Sequence, residues 1–148
     1  ESFINVSQGL DRIHSSVWTH DNNLMFSATS ERSQTHQYYV WDGNETKLIH
    51  ETPRDAYAAS WSPDGRWSYK QGTAGVQVLD ENNNEIVRLV AGGYANGWPV
   101  WGANGQLSNC HLARLMLWDG DTSTEIGSSF AVEGIWLISG NNTSSSAG

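Results

Sequence analysis

The sequence predicts an all-β chain built from repeated four-stranded antiparallel sheets. Three observations predict it: a Trp-led repeat, a second marker inside each repeat, and a composition suited to turns and short strands. Trp18-Thr-His-Asp21-Asn22-Asn23-Leu24 aligns with Trp61-Ser-Pro-Asp64-Gly65-Arg66-Trp67 and with Trp101-Gly-Ala-Asn104-Gly105-Gln106-Leu107. The repeats stand 43 and 40 residues apart, the length of one β-propeller blade. The second marker is an apolar run that ends in Asp: Tyr38 to Asp42, Val76 to Asp80 and Leu115 to Asp119. The fold class is therefore β-propeller blades, about three complete, with parts of flanking ones.

Each element follows from local chemistry. In the second unit Ala59 to Trp61 is the inner strand, and Ser62-Pro63-Asp64-Gly65 is a tight turn. There Pro presets φ, and Asp-Gly accepts the positive φ of a hairpin. Trp67 to Lys70 and Val76 to Leu79 alternate as strands two and three. Asp80 to Asn84 is a polar hairpin, and Ile86 to Val90 is the outer strand. The expected organisation is 1–14 as the outer strand of a preceding blade, 15–57 as blade 1, 58–97 as blade 2 and 98–131 as blade 3. Residues 132–140 start a fourth blade at Trp136, and 141–148 form a flexible Ser- and Asn-rich tail. The recurring positions Trp18, Trp61, Trp101 and Trp136 are expected in blade cores, and Asp42, Asp80 and Asp119 at strand ends.

Composition narrows the function classes. Charged residues make up 16 % and hydrophobic residues 38 %, yet there are eight Trp, each able to bury a large area. A net charge of −8 repels phosphate backbones, so nucleic acid is not an expected partner. Apolar runs such as Leu115-Met116-Leu117-Trp118 are too short to cross a bilayer. Cys110 stands alone and forms no internal disulfide. Asn-x-Ser/Thr patterns at Asn5, Asn44, Asn141 and Asn142 read as chance matches in an Asn- and Ser-rich chain.

Ala59-Ser60-Trp61-Ser62-Pro63-Asp64-Gly65-Arg66 resembles the WSPDG blade signature of TolB-like, WD40-like propellers, the PD40 repeats. Tyr38 to Gly43 and Leu115 to Gly120 look like that family's third strand. The resemblance covers about residues 16 to 140. It implies a propeller of bacterial type, exported to the periplasm or outside the cell, that serves as a binding platform or as the non-catalytic part of an enzyme. Thr19-His20-Asp21-Asn22 and Asn104 depart from the signature.

No catalytic residue emerges. There is no Gly-x-Ser-x-Gly elbow, and Cys110 sits in a strand-like run as an inert thiol. No metal or cofactor is expected: Cys110 and His111 are adjacent and point to opposite strand faces. Asp119 to Glu125 has the acid density of a calcium loop but aligns with the Asp42 hairpin, so it reads as a turn. The binding candidates are the unmatched aromatics Trp67 and Trp98, with Arg32 and His36 in the longer second loop of blade 1. The function expected is a non-catalytic propeller module that mediates protein–protein contact within a larger assembly. A protein partner or a second copy would complete the ring, since closed propellers need at least about four blades. The alternatives are an accessory propeller of a hydrolase or glycan-active enzyme, and a lectin-like ligand-binding propeller.

Overall fold

The computed structural model describes residues 3–7, 9–10, 12–29, 34–53, 55–89, 98–111 and 114–128. Twelve strands are defined there: β1 (Arg12–Trp18), β2 (Leu24–Thr29), β3 (Thr35–Trp41), β4 (Thr46–Pro53), β5 (Ala56–Trp61), β6 (Trp67–Gln71), β7 (Gly75–Leu79), β8 (Glu85–Leu89), β9 (Val100–Trp101), β10 (Leu107–His111), β11 (Arg114–Trp118) and β12 (Ser123–Ser128). They form three four-stranded sheets in chain order, β1 to β4, β5 to β8 and β9 to β12, every neighbouring pair antiparallel. β5 lies beside both β1 and β9, so the first strands of the sheets stand side by side at the inner edge. This is the radial arrangement of propeller blades.

Strand bounds differ slightly from the sequence-based units. β1 starts at Arg12 and β5 at Ala56, because the ladders run past the apolar residues, through Arg12↔Thr29 and Ala56↔Gln71. Residues 3–7 carry no strand, and the Val6 carbonyl accepts from the Thr46 hydroxyl (2.9 Å). Trp136, the fourth-blade segment, the tail and Arg32 lie outside the described residues.

The first hairpin of each blade is one loop made three times. The N–H of Thr19, Ser62 and Gly102 donates to the carbonyl of Asn23, Arg66 and Gln106 at 2.8–2.9 Å. Its last loop residue has positive φ: Asn22 at 64°, Gly65 at 90° and Gly105 at 75°. Asn tolerates that conformation and Gly accepts it without strain, which explains the tolerated departure at Asn22. The Asp that closes each third strand is a turn cap. Oδ1 of Asp42 accepts from the N–H of Asn44 and Glu45, that of Asp80 from Asn82 and Asn84, and that of Asp119 from Asp121 and Thr122. Hydrogen bonds to the ionised form hold all three carboxyls below their ordinary range, the Asn84 side-chain amide first at Asp80 and these backbone N–H groups first at Asp42 and Asp119.

Blades pack face to face through one register row. Trp61, Trp67 and Leu79 stand opposite one another across blade 2, as do Trp101, Leu107 and Trp118 across blade 3. The blade 2 row enters a core with Met25 and Tyr38 of blade 1, flanked by Val17, Val40 and Ile49. The blade 3 row packs on Val76 and Val78 of blade 2. Each leading Trp donates its indole N–H to the same place on the preceding blade. Trp61 Nε1 reaches Met25 Sδ (2.8 Å), and Trp101 Nε1 reaches Ser68 Oγ (3.1 Å).

Polar rings complete the first joint. His36, 1 % exposed, stacks on His14 (5.2 Å) and meets Tyr38 (5.1 Å). His50 packs edge-on to Trp67 (5.5 Å) and bonds through Nε2 to the Tyr69 hydroxyl (3.2 Å). Burial, and to a lesser extent His14, hold the His36 pKa down to about 4, and burial lowers that of His50.

Two outcomes follow for the fold. Trp67→Ala should cost roughly 3–5 kcal/mol in urea unfolding, since it opens the joint between blades 1 and 2. A loss under 1 kcal/mol would contradict that packing. For pH, both His pKa values are lowered in the folded chain, so as pH drops below the unfolded value of about 6.5 the unfolded chain takes up more protons at these two sites than the folded one. Stability should therefore fall as pH drops from 6.5 to 5, by roughly 2 kcal/mol from His36 alone. His36→Phe should flatten that slope, and an unchanged slope would show that His36 does not hold its neutral form.

Candidate functional site

The turns on one side of the blades act as clamps over the leading Trp of the next blade. His20, in the first turn of blade 1, stacks on Trp61 with ring centres 5.6 Å apart. Gly65 lies under His20, where an added Cβ would stand 3.3 Å from the imidazole. In the next joint the clamp is Arg66. Its guanidinium sits 4.9 Å from the Trp101 ring centre and 5.4 Å from that of Trp118. Nη2 of Arg66 also donates to the Gly105 carbonyl (3.0 Å) and to Asp64 (2.7 Å). The paired guanidinium holds the Asp64 carboxyl down to about 2. A cation on two indole faces is worth about 0.5–2 kcal/mol.

Between the turns of blades 1 and 2 runs a groove of about 490 Å³, lined by His20, Asp21, Asp42, Lys47, Trp61 and Glu81 among others. Its charged groups are largely engaged: Lys47 pairs with Glu45 (2.6 Å) and Asp42 (3.6 Å), and Asp21 takes hydrogen bonds from Thr19 and Asn23. Among the described residues, no three His, Cys, Asp or Glu side chains gather as a metal site. The acid-rich Asp119 loop is a capped turn, and Glu125 pairs instead with Arg114 (3.4 Å). Burial pushes the Cys110 thiol up, away from a reactive thiolate.

The structure corrects two of the binding candidates. Trp67 is fully buried, with Nε1 bonded to Asn83 Oδ1 (3.1 Å), so it is a joint residue and offers no stacking surface. His36 lies on β3 and points into the same joint, because the β2–β3 ladder extends to Thr29↔His36 and carries it out of the loop. Trp98, 71 % exposed, stands just before β9. Trp18 differs from its expected core role. It shares a row with Leu24 and Trp41, the equivalents of the buried rows of blades 2 and 3, yet it is 63 % exposed. The reason is geometric: this row lies on the face of blade 1 turned away from blade 2, and no described strand packs on it. The same face also carries Phe26, itself buried and stacked on Tyr39 at 5.5 Å, and Leu48, 51 % exposed. The repeat alignment already placed Trp18 with Trp61 and Trp101. What could not be read there is which face each row turns to its neighbour.

No protein-family model and no curated protein matches the chain. Among solved structures it is similar to a calcium-binding protein, regucalcin, from Agrobacterium tumefaciens str. C58. The TM-score is 0.53 at 12 % identity, over 76 % of this chain and 44 % of that one, so the matched part spans less than half of regucalcin. At that identity the likeness speaks for the fold alone. With three radial four-stranded sheets, it makes this chain a set of β-propeller blades.

Proposed function

We propose that the chain is a non-catalytic propeller module that mediates protein–protein contact within a larger assembly. The observation that carries this reading is the Trp18–Leu24–Trp41 row, in which Trp18 is 63 % exposed and Leu24 and Trp41 are half-buried. The same row is buried in blade 3 and, with Trp61 half-buried, in blade 2, where it makes the joint to the preceding blade. A surface built like two internal joints is complementary to another blade face. Large rings at the centre of such a patch are the usual carriers of binding energy. The likeness of the three turns of Trp-x-x-Asp/Asn type to the PD40, TolB-like signature is the ground for proposing that kind of propeller, and export is proposed with it on that resemblance alone.

A ligand-binding reading has one observation in its favour: the groove beside Trp61, of a volume usual for small-molecule sites. Its engaged charges and the clamped indole favour a structural role for that region.

The test is the native mass of the protein in gentle extracts of its source. The assembly reading expects Trp18-bearing material in a complex above the 16.3 kDa of this chain, with masses explained by whole subunits. Material that runs without any partner subunit, at the mass of one polypeptide, overturns it.

A further inference from the structure

We infer that the joint between blades 1 and 2 is an acid-sensitive hinge, which loosens as pH falls toward 5 while the joint between blades 2 and 3 stays closed. The observation that carries this is where the histidines lie. Of the five in the chain, four gather at the first joint: His14, His20, His36 and His50. Among the described side chains the second joint holds none. It is built from Val76, Val78, Trp101, Leu107 and Trp118, with Arg66 as its clamp. A guanidinium keeps its charge at every pH a folded protein meets, so that clamp does not titrate.

The two imidazoles inside the first joint sit where a positive charge is badly placed. His36 is buried between rings, with His14 stacked at 5.2 Å and Tyr38 at 5.1 Å. Its register row runs through Thr29 to Arg12, which adds positive charge at the end of the row. His14 bonds through Nε2 to Thr29 Oγ1 (2.8 Å) on the same side. Across the joint Tyr38 meets Trp67 (5.3 Å) and Tyr69 (5.4 Å). Burial raises the pKa of both phenols, that of Tyr69 to about 12, so neither supplies a counter-charge in acid. His50 spans the joint, edge-on to Trp67 and bonded to the Tyr69 hydroxyl. Glu85, Arg88 and Asp55 act on Tyr69 from behind, and Glu85 is tied to Arg88 (2.9 Å). Glu51, next to His50 along β4, points to the other face and accepts from Gln37 Nε2 (2.6 Å). His20 lies outside this set. A proton there puts a cation on the Trp61 face, which does not open the joint.

Closing the joint therefore favours neutral His36 and His50, and opening it lets both take up protons. The hinge is a separate unit because each blade's ladders close within its own sheet, while side chains alone make the joint. The direction follows from the lowered pKa values. With His36 held at about 4 in the closed joint and about 6.5 in the open one, the opening equilibrium rises about 30-fold from pH 7.5 to pH 5. His50 acts in the same direction. The effect of His36 begins near pH 6.5 and levels off near pH 4.

Each joint carries its own reporter. The Trp61 indole N–H crosses the first joint to Met25 Sδ (2.8 Å), and the Trp101 indole N–H crosses the second to Ser68 Oγ (3.1 Å). The experiment measures hydrogen exchange of both indoles by NMR in the full 148-residue chain, from pH 7.5 to pH 5. The intrinsic pH dependence is common to both and cancels in their ratio. The Trp61 to Trp101 rate ratio should rise at least about tenfold over that range, with far-UV circular dichroism unchanged. His36→Phe keeps a ring that does not titrate and should remove most of the rise. His36→Gln serves the same purpose where the Phe variant does not fold. A constant ratio in the unaltered chain overturns the hinge. So does a joint rise of both indoles with loss of the sheet signal, which is global unfolding. A full rise that persists in a folded His36 variant also overturns the assignment to His36.

Discussion

The indole that each blade sends into its predecessor is the contact on which the rest of the structure depends. A four-stranded sheet with two apolar faces cannot bury both by itself, so a propeller blade is stable only between neighbours. Trp61 and Trp101 do this with area and direction at once. The ring fills the joint, and the N–H finds Met25 Sδ or Ser68 Oγ, so the indole donor is satisfied. Blade 2, with neighbours on both sides, shows the result in β7, where both alternating faces are buried. Blades 1 and 3 each have one satisfied face and one carrying exposed apolar side chains. The functional reading grows from that imbalance.

The clamps show how different residues meet one demand. The leading Trp sits at the end of its strand, where one ring face is near solvent. In the first joint His20 covers it, and in the second Arg66 does, from positions three residues apart in the aligned turn. Arg66 also ties the joint to the Gly105 carbonyl, where the positive-φ glycine gives the guanidinium room: an added Cβ would come within 3.2 Å of it. The turn therefore does three things at once. It reverses the chain, orients the next strand, and shields the following blade's indole.

Much of this architecture was legible in the residues. The Trp spacing, the Asp/Asn and Gly/Asn turn positions, and the Asp at the end of each third strand marked three equivalent blades, because turn chemistry is local. The functional surfaces were less legible because they depend on contacts between distant residues. Trp67 looked unmatched because its equivalents are Leu24 and Leu107, and an aromatic in an aliphatic register suggests a special role until the joint is seen. His36 read as a loop residue because the β2–β3 ladder is longer than the apolar run that signals it. Trp18 read as core because repeat equivalence predicts position in the blade, while burial depends on the neighbour the blade has. The Asp119 to Glu125 loop carries the acid density of an ion site, and its alignment with the Asp42 hairpin read it as a turn; the backbone N–H groups aimed at Asp42, Asp80 and Asp119 show the turn cap that the three loops share.

The central claim, that the Trp18 row is a blade joint made with another protein surface, is tested most directly by hydroxyl-radical footprinting of the assembly isolated from its source, read tryptophan by tryptophan. Trp118, buried in an internal joint, and Trp98, open to solvent, provide the two reference rates on the same chain. The account predicts that Trp18 is oxidised as slowly as Trp118 in the assembly and much faster once the assembly is dissociated with the blades intact. Oxidation of Trp18 at the Trp98 rate in both states would contradict it.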